Sequence, residues 1–141
     1  MTPEMSAKLK RSVVNHEGRK KFPYPDTLGN ITLGIGYNLT ARGITDEWID
    51  KQYDEDAEYF YNQLSQNLWF QKLNQDRQII LVDMCFMGVK KFMTFKKMIQ
   101  ALKMNDFDRA ADEMLDSVWA LQVKDRAIIL SNAMREGVYY V

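Results

Sequence analysis

One cysteine, one histidine and three prolines are all that this 141-residue chain holds of those types. Cys85 sits in the apolar run ILVDMCFMG without a partner in the chain, so a disulfide framework and a cysteine-based zinc site are excluded. It reads as a small buried hydrophobe. His16 stands at the end of a helical pattern, about 100° round the helix from its neighbour Glu17, and reads as a surface residue. No metal site, phosphate loop or Ser/His/Asp arrangement is present, and no metal or cofactor is expected. Pro3, Pro23 and Pro25 all lie at the start of the chain, which leaves the rest free for helices. No apolar run approaches a membrane span, and the charges in MTPEMSAKLKRS exclude the apolar core of a signal peptide. A chain made in the cytoplasm, without stable membrane insertion, is the expectation.

Net charge is also missing, with 19 basic and 19 acidic residues. The charges come in blocks. Residues 1–45 carry seven Lys/Arg against three acids, and 46–66 carry seven acids against Lys51. Residues 67–105 return to seven bases against two acids, and 106–118 hold five acids against Arg109. A neutral total gives no general attraction to nucleic acid, although local basic patches remain.

Apolar residues make up 46% of the sequence, enough for one domain with a sizeable core. There is no internal repeat and no linker. The spacing predicts a first helix over 3–17, with Pro3 in its opening turn. Pro23 and Pro25 forbid helix after it, so 22–37 reads as a hairpin turning at Leu28-Gly29-Asn30. In its second arm Ile31, Leu33 and Ile35 alternate with Thr32, Gly34 and Gly36. Thr45 is a candidate N-cap for one long helix over 46–65. Further helices are expected at 68–73, 75–87, 92–104, 106–118 and 123–136. Asn74 and Asn105 are candidate caps, and Gly88 and Gly137 candidate stops. The class is α+β: a small sheet-bearing lobe, a long helix and a helical lobe.

Hydrolysis of a glycosidic bond needs two carboxyl groups in different surroundings. Glu17, at a helix end with Val13 and Val14 a turn behind, is the candidate general acid, since burial there would raise its pKa. Asp26, in a loop near polar backbone, is the candidate charged partner. Gly34 and Gly36 offer side-chain-free strand beside the hydroxyl of Thr32, where a sugar chain could come close. Taken singly, each has a plainer reading: a solvated Glu, a turn Asp, a pair of bulge glycines.

Together, Glu17-Gly18, Tyr24-Pro25-Asp26-Thr27-Leu28-Gly29-Asn30 and Ile31-Thr32-Leu33-Gly34-Ile35-Gly36 resemble the catalytic segment of the phage-type lysozymes. That family spaces a Glu, eight residues, an Asp, five residues and a Thr, and Glu17, Asp26 and Thr32 reproduce both gaps. The resemblance continues through Arg77–Gly88, similar to the buried helix of the C-terminal lobe. It extends to Asn105–Ala111, with Phe107 at an aromatic position, and to Trp119, Gln122, Arg126 and Ala127. It implies a lysozyme-like fold in a single catalytic domain over 1–141, with lobes near 15–60 and 1–14 plus 61–141.

The resemblance also implies a muramidase acting on the glycan strands of peptidoglycan as a monomer, with inversion. By the same analogy Glu17, Asp26 and Thr32 are catalytic, and Asn38 and Phe86 bind substrate. Arg126, Gly34 and Gly36 support, Arg126 by reaching towards Glu17. The implied setting is a phage endolysin made in the host cytoplasm and released to the cell wall.

The chain departs from the pattern at Tyr37, where a T-even member has histidine, and at Met87, where the family places an amide side chain. It also has a short Asn38–Ile44 connection. A lytic transglycosylase, which needs the Glu but not the Asp, is one alternative. A non-catalytic wall- or membrane-binding helical protein is another, suggested by the basic, apolar segment Val89–Ile99.

Overall fold

A computed structural model describes all residues, 1–141, and divides them into two compact units, Met1–Lys51 and Gln52–Val141. In the first unit, α1 spans Pro3–Glu17, as the spacing predicts. Thr2 caps it by accepting the Met5 N–H at 3.2 Å, and Pro3 takes a first-turn position where no N–H is needed. A three-stranded antiparallel sheet follows in the order β1 (Lys20–Pro25), β2 (Ile31–Gly34), β3 (Tyr37–Asn38). Tyr24 pairs with Thr32 and Pro25 with Ile31, while an irregularity between Lys20 and Tyr24 bends β1. The second arm of the hairpin ends at Gly34, earlier than expected, because Ile35-Gly36 forms a turn into β3.

The alternation in β2 also runs opposite to its polarity. Thr32 is the one buried residue of this unit, while Ile31 is 40% exposed. A short helix α2 (Leu39–Arg42) is capped by Asn38, whose Oδ1 accepts the Ala41 N–H at 3.0 Å.

The long helix α3 spans Asp46–Ser65. Thr45 Oγ1 accepts the Trp48 N–H at 3.1 Å, and Asp46 and Glu47 lie at the positive end of the dipole. Then come α4 (Leu68–Gln71), α5 (Gln75–Met84), a 3-10 turn at Cys85–Met87, α6 (Val89–Phe92) and α7 (Lys96–Lys103). The chain closes with α8 (Phe107–Leu115), α9 (Val118–Val123) and α10 (Asp125–Glu136).

The five helices expected after residue 65 are each shortened or divided. Residues 93–95 interrupt the one expected over 92–104, where the Thr94 hydroxyl donates to the Lys91 carbonyl at 2.6 Å. Lys124, at φ 51°, separates α9 from α10. The expected cap at Asn105 is supplied instead by Asp106, whose Oδ1 accepts the Arg109 N–H at 3.1 Å. Asn105 itself takes a left-handed φ of 55°.

The core lies in the second unit, where α8 packs on α7 and α10, and α5 packs on α10. Phe70, Ile80, Leu81, Met84, Phe92 and Met134 are fully buried in it. Burying each of these side chains stabilises the fold by about 1.5–3 kcal/mol. Phe92, Met98 and Ile99 join this core while Lys90, Lys91, Lys96 and Lys97 face water. The segment 89–99 is therefore a core element with solvated lysines. No helix is long and apolar enough to cross a membrane.

A polar clamp holds the end of α10. Arg77 Nε donates to the Met134 carbonyl at 2.9 Å and Nη2 to the Arg135 carbonyl at 3.1 Å. Its guanidinium lies 3.4 Å from the centroid of the Phe107 ring. Burial lowers its pKa, a cost that these carbonyls and the ring offset. Gly137 has φ 75°, where a side chain is strained, and a methyl there would press on the clamped guanidinium, 2.8 Å from Arg77 Nη1. Asn74 Nδ2 adds a bond to the Gly137 carbonyl at 2.9 Å.

Candidate active site

Glu17, Asp26, Thr32, Gly34, Gly36 and Asn38 all fall within the first unit. Glu17 ends α1, and the chain leaves through Gly18, whose N–H returns to the Val14 carbonyl at 2.8 Å. Its side chain lies across the β2–β3 turn: a methyl added to Gly36 would stand 2.9 Å from Glu17 Cγ. Gly36 is thus not the open strand surface expected from the alternation. Its bare α-carbon is covered by the glutamate. Val13 and Val14 are half-buried and Glu17 is exposed, so the apolar burial expected for its carboxyl is not found.

Asp26 closes the β1–β2 loop. Its Oδ1 accepts the Leu28 N–H at 2.9 Å and the Asn30 N–H at 2.8 Å, and its own N–H donates to the Asn30 carbonyl at 2.8 Å. These bonds fix the carboxylate against polar backbone, and the second oxygen, Oδ2, takes no part in them. Thr32, on the central strand, pairs across to Tyr24 on one side and Asn38 on the other. Its hydroxyl donates only a long bond, 3.4 Å, to the Asn30 carbonyl. A helix end, a loop and a central strand thus carry a carboxyl, a second carboxyl and a hydroxyl within the first unit.

Tyr37 stands where a histidine was the comparison. Its hydroxyl donates to the Gly43 carbonyl at 2.6 Å and its ring lies 4.3 Å from the Arg42 guanidinium carbon. With Leu33, Gly34, Leu39 and Trp48 it lines an apolar hollow of about 550 Å³. His16 is exposed, as expected.

Phe86 and Arg126 belong to the second unit, where the structure brings them together. Both line a concavity of about 630 Å³ with Tyr53, Tyr61, Ile79 and Asp83. Phe86 stacks on Tyr53 with centroids 5.8 Å apart and meets Phe60 edge-on at 5.0 Å. Arg126 Nε donates to Asp83 Oδ1 at 3.0 Å, and Nη2 reaches the same oxygen. Sequence patterns did not single out Asp83, because its partner is 43 residues away. Met87 is half-buried against the core. No group of three or more His, Cys, Asp or Glu side chains is placed to hold a metal ion.

The chain is similar to known proteins. A probable T4-type lysozyme 1 from Dictyostelium discoideum is 23% identical over 164 aligned positions, covering 94% of this chain and 96% of its own length. The phage lysozyme family matches residues 14–130, a span that takes in Glu17, Asp26, Thr32 and Arg126. The helical fold with its small antiparallel sheet is the α+β fold of that kind, and the chain belongs to the phage lysozyme family, a family of glycoside hydrolases.

Proposed function

We propose that this protein is a muramidase that hydrolyses the β-1,4 bond between N-acetylmuramic acid and N-acetylglucosamine in peptidoglycan. Glu17 protonates the leaving glycosidic oxygen. Asp26 activates water or stabilises the oxocarbenium-like charge, and Thr32 positions the water. The observation that carries this reading is the common placement of Glu17, Asp26 and Thr32 on one small unit, with Asp26 fixed by two backbone N–H groups.

An inverting reaction is proposed. It requires carboxyl groups on the order of 6.5–9.5 Å apart, so that a water fits between the second carboxylate and the sugar. Asn38 and Phe86 are proposed to contact the glycan, and Arg126, Gly34 and Gly36 to support the site. Residues 1–141 act as one catalytic domain and as a monomer. The proposed biological role is that of a phage endolysin, made in the host cytoplasm and reaching the wall after release.

The test is digestion of purified peptidoglycan by the wild type and by Glu17→Gln, with soluble products read by mass spectrometry. The wild type should release reducing muramic ends, and the variant should be slower by about 10²–10⁴-fold. Anhydro ends from the wild type would make the protein a lytic transglycosylase. Equal digestion by the variant would remove Glu17 from the mechanism. A proton NMR spectrum of the first-formed anomer separates inversion from retention.

A further inference from the structure

Gly36 occupies the turn between β2 and β3 at φ 68°. A methyl on its α-carbon would lie 2.9 Å from Glu17 Cγ, 3.0 Å from Cδ and 3.2 Å from Cβ. The glutamate is thus laid along the glycine from its β-carbon to its carboxyl carbon. Those separations are shorter than ordinary van der Waals contact between carbons, so the side chain can hold this place only while residue 36 has none.

We propose that Gly36 is a positioning residue: its missing side chain admits Glu17 to the place from which the acid works, and any β-carbon there displaces the carboxyl. This rests on the reading of Glu17 as the general acid. The obstructed atoms belong to an exposed, flexible side chain at a helix end. The conflict is therefore relieved by a swing of Glu17 and not by unfolding. A displacement on the order of 1 Å is enough to cost about 10²-fold in rate.

Gly43 supplies the control. It too has positive φ, 61°, but a methyl there meets nothing within 4 Å. Gly36→Ala and Gly43→Ala both carry the strain of a β-carbon at positive φ, and only the first strikes Glu17. Both should melt somewhat below the wild type. Gly36→Ala should lose about 10- to 100-fold in kcat with KM little changed, while Gly43→Ala keeps kcat. In protein labelled with 13C-glutamate, the Glu17 Cδ resonance should move in Gly36→Ala and stay in place in Gly43→Ala.

Wild-type kcat in Gly36→Ala, or an equal loss in Gly43→Ala, would overturn the assignment. An unmoved Glu17 resonance would overturn it without reference to turnover. A moved resonance in a protein that releases no sugar products, wild type included, would keep Gly36 as the seat of Glu17 and remove the muramidase reading instead.

Discussion

Residues 1–51 and residues 52–141 are built by different means. The second unit holds all of the buried apolar side chains, from Leu64 to Met134. The first has one buried residue, and it is a threonine. What shapes the first unit is local and polar: the Thr2 and Asn38 caps, the two N–H bonds onto Asp26, and the Ile31 N–H donated to Thr40 Oγ1 at 2.7 Å. The proposed acid, carboxylate and hydroxyl all sit there. Stability is concentrated in one part of the chain and the candidate chemistry in the other, so substitutions should separate the two properties.

The sharpest separation is expected at Asp26. Asp26→Asn keeps an oxygen that can accept the Leu28 and Asn30 N–H groups but removes the charge. Turnover on peptidoglycan should fall by about 10²–10⁴-fold while the melting temperature stays at the wild-type value. In the other unit, Phe92→Ala empties a fully buried site. Urea unfolding should show a loss of about 3–5 kcal/mol, with turnover per folded molecule unchanged. Arg77→Met should cost about 1–3 kcal/mol, because the carbonyls of Met134 and Arg135 lose their donors. A marked fall in turnover for either core variant at full folding would break the separation.

The smallest effect concerns pH. Burial pushes the Cys85 thiol up to about 12. A raised thiol stabilises the fold fully below its unfolded value of about 8.5, and that contribution is lost as pH climbs through about 12. Between these values the unfolded chain releases a proton that the folded chain keeps, so stability should fall with pH by up to about 1.4 kcal/mol per unit from this group. Cys85→Ala should show a shallower fall over the lower part of that range in parallel urea titrations.

Much of this organisation was legible in the sequence where the determinants are local. The helices 3–17 and 46–65 have the predicted bounds, because a proline, a capping threonine and an acidic first turn mark their ends. Glu17, Asp26 and Thr32 were singled out as candidates because their spacing resembles the family's, and the loop setting of Asp26 was marked by its prolines and glycine. Other features depend on contacts distant in sequence. The Arg77 clamp joins residues 57 and 58 positions apart, and the Asp83–Arg126 pair has no local pattern. The break at Lys124 and the early end of β2 also escaped, since neither carries a proline. Gly36 was legible as a glycine near the candidate site, but its close contact with Glu17 was not.

Native-state hydrogen exchange tests the contrast between the two units most directly. The amides of Asp26 and Asn30, both bonded within the β1–β2 loop, should exchange through local openings. Those openings should cost several kcal/mol less than the global unfolding that exposes helix-interior amides such as Ile80 and Leu130. Equal protection in the two regions would contradict the account, because the site would then be held by the core and not by its own turns and caps.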